Sequence, residues 1–204
     1  GPGGDATNRA AGDLWWAAQH AVAEANAAAG PAGTLPFRLV SRWAVDPWGT
    51  GVSQLARMIY DEQPLALLGS VDSATTHLAE QVAAKANLPL VSPIATDPSI
   101  TLAGVAWMFA CAPSDRAVAL ALVDDLLAQP SGGTERVALL TGTDHESRML
   151  AREVVRELNH RQRPPAFQFT VPAGAANDRR PLEALAQAHV DAVMILTPAA
   201  DAAC

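Results

Sequence analysis

Short apolar runs, separated by helical stretches of about ten or more residues, recur along nearly the whole chain and limit its fold more tightly than any other feature. The runs PLALLG (64–69), LPLVS (88–92), AWMFACA (106–112), RVALLT (136–141), AFQFTV (166–171) and DAVMILT (191–197) have strand length. A further strand is expected over 36–45, PFRLVSRWAV, with DPWGTG as the turn that leaves it. Helices are expected over 13–29, 50–62, 74–86, 115–129, 146–162 and 181–189. Asp13 is placed to cap the first, and Gly30 with Pro31 to end it. Strands that alternate with helices imply a parallel, doubly wound α/β sheet, because parallel neighbours need a crossover long enough to hold a helix. Seven strands with their helices suit two lobes: residues 1–112 as a first and 113–204 as part of a second, with the crossover near Pro113.

Two ends of the pattern are open. Residues 1–12, GPGGDATNRAAG, read as loop where an opening strand is expected, and the chain stops at DAAC where a helix is due. The expectation is a fragment that lacks its first strand and its C-terminal part, with exposed strand edges that favour self-association.

Charge narrows the partners. The formal net charge is −7, and the basic clusters at Arg161–Arg163 and Arg179–Arg180 are short. Nucleic acid and anionic membranes need clustered Lys and Arg, so neither is an expected partner. No apolar run approaches the roughly 20 residues of a membrane span. Cys111 and Cys204 lie in no metal-binding spacing, and Cys111, in an apolar run, is expected to be a buried small side chain. The five histidines show no metal spacing either. No GxSxG elbow, phosphate-binding loop or GxGxxG follows a strand. Neither a catalytic residue nor a cofactor or metal is therefore expected. Five tryptophans are expected mainly as packing residues, with Trp48 in a turn.

Ligands of parallel sheets bind beyond the carboxyl ends of the strands. Two loops there are rich in hydroxyls: GSVDSATTH (69–77) and SPIATDPSIT (92–101). Ser73, Thr75 and Thr96 are candidates to hold a carboxylate, assisted by the unpaired N–H groups and positive dipole end of the helix that starts near Ala74. The alternative is local: Asp72 or Ser73 caps the helix and the threonines satisfy turn donors. A third loop, TGTDHESR (141–148), offers Asp144, His145 and Glu146 to polar groups of a ligand, or Asp144 or Thr143 as a cap with acids in the first turn.

GDLWWAAQHAVAEANAAAG, the Asp-Pro turn, the SPIATDP loop and FACAPSDRAVALALVDDL together resemble type I periplasmic solute-binding proteins of the branched-chain amino-acid (Leu/Ile/Val) receptor kind. The resemblance runs over about residues 12–200 and covers half of a typical member. It implies two Rossmann-like lobes closing on a solute, no catalysis, and an extracytoplasmic or periplasmic protein that delivers its solute to an ABC-type membrane permease. A ligand-sensing receptor domain of the same fold is the alternative, and a doubly wound enzyme stands behind both. By resemblance, Ser73, with Ala74 and Thr75 beside it, holds the ligand carboxylate, Ile94 offers its carbonyl to the ammonium, and Thr96 touches both groups. A Tyr-Gly pair of the family is replaced by Glu146–Ser147, which removes an aromatic wall and adds a charge.

Overall fold

The structure is a computed structural model that describes residues 9–28, 36–42, 46–102, 104–128, 136–172 and 180–198. The chain divides into two compact units: 1–94 with 104–109, and 95–103 with 110–204.

The first unit opens with helix α1 (Arg9–Ala28), four residues earlier than Asp13 suggests. A π-helical turn over Pro47–Gly51, with the Asp46 side chain accepting from Gly49 N, leads into α2 (Val52–Glu62). Then come β1 (Leu67–Leu68), α3 (Ser73–Ala86), β2 (Leu90–Ser92) and, after the segment 95–103 of the second unit with its short α4 (Ser99–Leu102), β3 (Met108–Ala110). The sheet order is β1-β2-β3, and β1 pairs with β2 in parallel, Leu67 opposite Leu90. Both α2 and α3 stop on a left-handed residue, Gln63 and Asn87, which turns the chain toward the next strand.

The strand expected at 36–45 is not formed over its described part, 36–42. Its remaining residues 43–45 lie outside the described residues, as do Gly30 and Pro31. At Phe37 the place of a strand partner is taken by a side chain: Phe37 N donates to Asn26 Oδ1 at 2.7 Å and Asn26 Nδ2 donates to Phe37 O at 2.9 Å. An Asn amide offers the same donor–acceptor pair as a peptide, so it satisfies one residue of backbone without building a ladder. Arg38 and Arg42 then reach Glu62 at 2.7 and 3.6 Å.

The second unit contains α5 (Asp115–Ala128), β4 (Val137–Gly142), α6 (His145–His160), β5 (Phe167–Val171), α7 (Arg180–Ala188) and β6 (Ala192–Leu196). Its sheet runs β5-β4-β6, parallel on both sides of β4, with Leu139 opposite Gln168 and Met194. The continuous apolar run VALLTG is buried at every residue but one, as a central strand covered on both faces demands, whereas β5 and β6 alternate along their length. Val154 and Leu158 on α6 close a core with Ala119 and Val123 of α5, Val137 and Leu139 of β4, and Leu196 of β6. Each Val or Leu among them contributes roughly 1.5–3 kcal/mol by leaving water.

Several side chains depart from expectation. Cys111 is exposed rather than buried; it follows β3, whose own Phe109 and Ala110 are exposed as well. Trp16, Trp48 and Trp107 are likewise exposed, while Trp15 is half-buried. Adjacent helical residues point about 100° apart, so one face of α1 cannot hide both members of its Trp pair. Trp16 instead stacks on His20 at 5.4 Å. Cys204 and Arg179 lie outside the described residues.

Candidate functional site

Two polar constellations stand at strand ends, one in each unit. In the first, the chain leaves β1 through Gly69, whose φ of +143° suits glycine, and enters α3 by way of Asp72. Asp72 is the cap: its Oδ1 accepts from Thr75 N at 2.7 Å and lies 2.6 Å from Thr75 Oγ1. Thr75 Oγ1 is also 2.6 Å from Ser70 Oγ. Thr76 Oγ1 donates to Asp72 O at 2.6 Å, accepts from Ser70 N at 3.1 Å, and lies 3.4 Å from Ser92 Oγ at the end of β2. Ser73 and Ser92 are fully buried.

The helix start is therefore wrapped by hydroxyls from two neighbouring strand ends. Ser73, Ala74 and Thr75 share the first turn of α3, and Ile94, half-buried, lies just past β2. Capping belongs to Asp72 and not to Ser73. Ser70, Thr76 and Ser92 were not singled out by sequence. Ser92 and Thr76 sit in the loop and helix stretches already flagged as hydroxyl-rich, but only the β1–β2 register brings them together.

In the second unit, α5 along most of its length, the loop that leaves β4, the first turns of α6 and the end of β6 surround a cavity of about 670 Å³. Thr96 and Glu146 line it, with Asp115, Asp144, Ser147 and Thr197. Asp144 caps α6, its Oδ1 accepting from Ser147 N at 2.9 Å, as the local reading of that loop anticipates. Gly142 makes this convergence possible: a Cβ there would stand 2.6 Å from Asp144 Oδ2 and 3.2 Å from Thr197 Oγ1. His145 Nε2 lies 3.6 Å from Asp97 Oδ2, too far for a hydrogen bond but close enough for an ion pair when the ring is protonated.

Asp115 is the residue that sequence reasoning missed. It stands at the start of α5, where an acid reads as a favourable first-turn residue and nothing more. It is 3% exposed, and its backbone N–H donates to Thr96 O at 2.7 Å. Burial raises its pKa above the usual 3.8; a hydrogen bond with Thr96 pulls the other way, and Glu146, Asp97 and Glu153 push it further up. Its Oδ2 and Thr197 Oγ1 are buried and have no hydrogen-bond partner among the described residues. Glu153, equally buried, is by contrast paired with Arg156 at 3.0 Å. Among the described residues no group of three or more His, Cys, Asp or Glu could hold a metal ion, and no helix is long and apolar enough to cross a membrane.

Solved structures share this fold. A substrate-binding protein of an ABC transporter from Desulfitobacterium hafniense, in complex with Leu, superposes with a TM-score of 0.73 at 22% identity over 91% of this chain and 54% of that one. The branched-chain amino acid transporter substrate-binding protein LivJ from Streptococcus pneumoniae, in complex with isoleucine, gives 0.74 at 21% identity over 95% and 54%. A substrate-binding periplasmic protein from Ralstonia solanacearum gives 0.70 at 25% identity over 95% and 54%. The chain thus spans about half the length of these proteins. No curated protein matches it. The family described as periplasmic binding protein matches residues 3–203, nearly every residue present. With parallel sheets in both units and that match over its length, the chain belongs to the periplasmic binding protein family, whose members bind solutes and are not enzymes.

Proposed function

We propose that this chain is the solute-capturing part of an extracytoplasmic binding protein that takes up an amino acid or related small carboxylate for an ABC-type permease. The observation that carries the proposal is the start of α3, where Ser73, Ala74 and Thr75 stand at the carboxyl end of β1 among the hydroxyls of Ser70, Thr76 and Ser92. A helix start offers N–H groups and a positive dipole end to an anion without any Lys or Arg. By the resemblance, Ser73 and Thr96 are assigned to the ligand carboxylate, the Ile94 carbonyl and Thr96 to its ammonium, and Glu146 to a polar group of the ligand. Two of the similar solved structures carry leucine or isoleucine by their descriptions, which supports an amino acid as the first solute to test.

The test is calorimetric titration of L-leucine into the wild-type protein and into Ser73→Ala and Thr96→Ala. A hydrogen bond to a charged group is worth roughly 1.5–3 kcal/mol. Each variant is therefore expected to bind at least about tenfold more weakly, with little change in a denaturant melt. Unchanged affinity in both variants would remove these residues from the site.

A further inference from the structure

We infer that a groove between α7 and β5 of the second unit binds a small aromatic carboxylate, with the Arg136 guanidinium as its counter-ion and the Phe167 and Phe169 rings as its apolar wall. The groove lies at the amino ends of the strands, where Arg136 directly precedes β4 and Phe167 opens β5. The proposed solute site lies beyond carboxyl ends, and the groove shares no residue with it.

Register builds the groove. Ala138 of β4 stands opposite Phe167 and Leu140 opposite Phe169, so all four side chains share one face of the sheet. Ala138 and Leu140 are buried, yet both rings are only half-buried. The helix side leaves the room. Ala184 and Ala188, four residues apart and hence on one face of α7, line the same cavity, and two methyl groups do not fill the space before two phenyl rings. The volume of about 500 Å³ lies within the range of small-molecule sites. The rings are 13° from parallel with centroids 6.3 Å apart, a surface that suits an aromatic guest.

Charge decides the other end of the guest. The Arg136 guanidinium lies over the Phe167 ring, 5.7 Å from its centroid. Stacking holds a guanidinium by its face and leaves the N–H donors at its rim for a partner. Asp191, the acid bonded to this residue, accepts from the backbone N of Arg136 at 2.9 Å and donates its own N–H to Arg136 O, which fixes the backbone and leaves the charge unmet. No carboxylate among the described residues lies within ion-pair distance of the guanidinium, and no Asp or Glu borders the groove. A carboxylate matches the guanidinium fork with two parallel N–H bonds. His189, which ends α7 at a left-handed φ of +48°, and Gln187 also line the cavity and can donate to the same anion.

The experiment is an NMR titration of the whole chain with benzoate, benzyl alcohol and acetate, which separate ring from charge. Benzoate is expected to bind at least about tenfold more tightly than either of the others, the worth of one hydrogen bond to a charged group, and to shift amides of β5 and α7. Arg136→Gln changes an exposed side chain and is expected to lower benzoate to the level of benzyl alcohol. Phe167→Leu is expected to weaken benzoate several-fold and leave acetate unchanged. Benzyl alcohol or acetate binding as tightly as benzoate, benzoate affinity that survives Arg136→Gln, or shifts confined to the start of α3 would each overturn the inference. Ser73→Ala is expected to leave benzoate unchanged, and Arg136→Gln to leave leucine unchanged, so failure of one site is told from failure of the other.

Discussion

The two units run the same alternation of strand and helix, yet they bury different things. In the second, β4 is inside along almost its full length, and Val123, Val154, Leu158 and their neighbours form an apolar core from two helices, α5 and α6, and one sheet. In the first, β1 has two residues and β2 three, Leu68 is 49% exposed and Phe109 53%. The buried face of its helix α3 is Ser73, Thr76, Glu80 and Ala83, polar at three positions of four. Glu80 is offset by His77, 3.0 Å away. Apolar burial holds the second unit together; a hydrogen-bonded polar layer organises the first. The lesson is that a shared topology does not fix where stability resides.

Truncation of Leu139 and Leu68 would test this contrast most severely. Leu139→Ala empties a fully buried position of β4 and is expected to cost about 2–5 kcal/mol. Leu68→Ala, half-exposed on β1, is expected to cost about 0.5 kcal/mol or less. Denaturant melts of both variants measure the difference; equal costs would break the comparison. Hydrogen exchange should follow the same order, with amides of β4 protected longer than those of β1.

A smaller effect concerns Asp115. Because burial and neighbouring acids raise its folded pKa above 3.8, the folded state holds its proton more tightly than the unfolded chain. Stability therefore falls as pH rises from about 3.8 through the folded pKa, and the cost stays in full above it. Asp115→Asn carries no such cost. It is expected to be more stable than wild type at neutral pH, with the gap closing below about pH 4. Melts at several pH values would show it, and a gap independent of pH would contradict it.

Most of this architecture was legible because its signals are local. Runs such as VALLTG and caps such as Asp144 announce themselves within a few residues. The misses have a common cause. Residues 36–42 have the composition of a strand, but a strand exists only through its neighbour, and here Asn26 took the place of one. Asp115 was invisible for the same reason. Its sequence context is that of any first-turn acid, and only the meeting of α5 with Thr96 and Thr197 across the cavity gives it meaning.

The Asp72 cap bears on which solutes the α3 terminus can accept. Its carboxylate is a resident anion, already occupying Thr75 N, so an incoming anion meets a terminus partly neutralised from within. Two unit charges about 4 Å apart repel by roughly 1 kcal/mol in water and more in a shielded site, and a doubly charged group feels twice that. If the proposed site stands, the terminus is expected to act as a valence filter that accepts a single carboxylate and turns away phosphomonoesters. Competition by leucine and by phosphoserine at equal concentration would expose the filter, and equal competition would dissolve it.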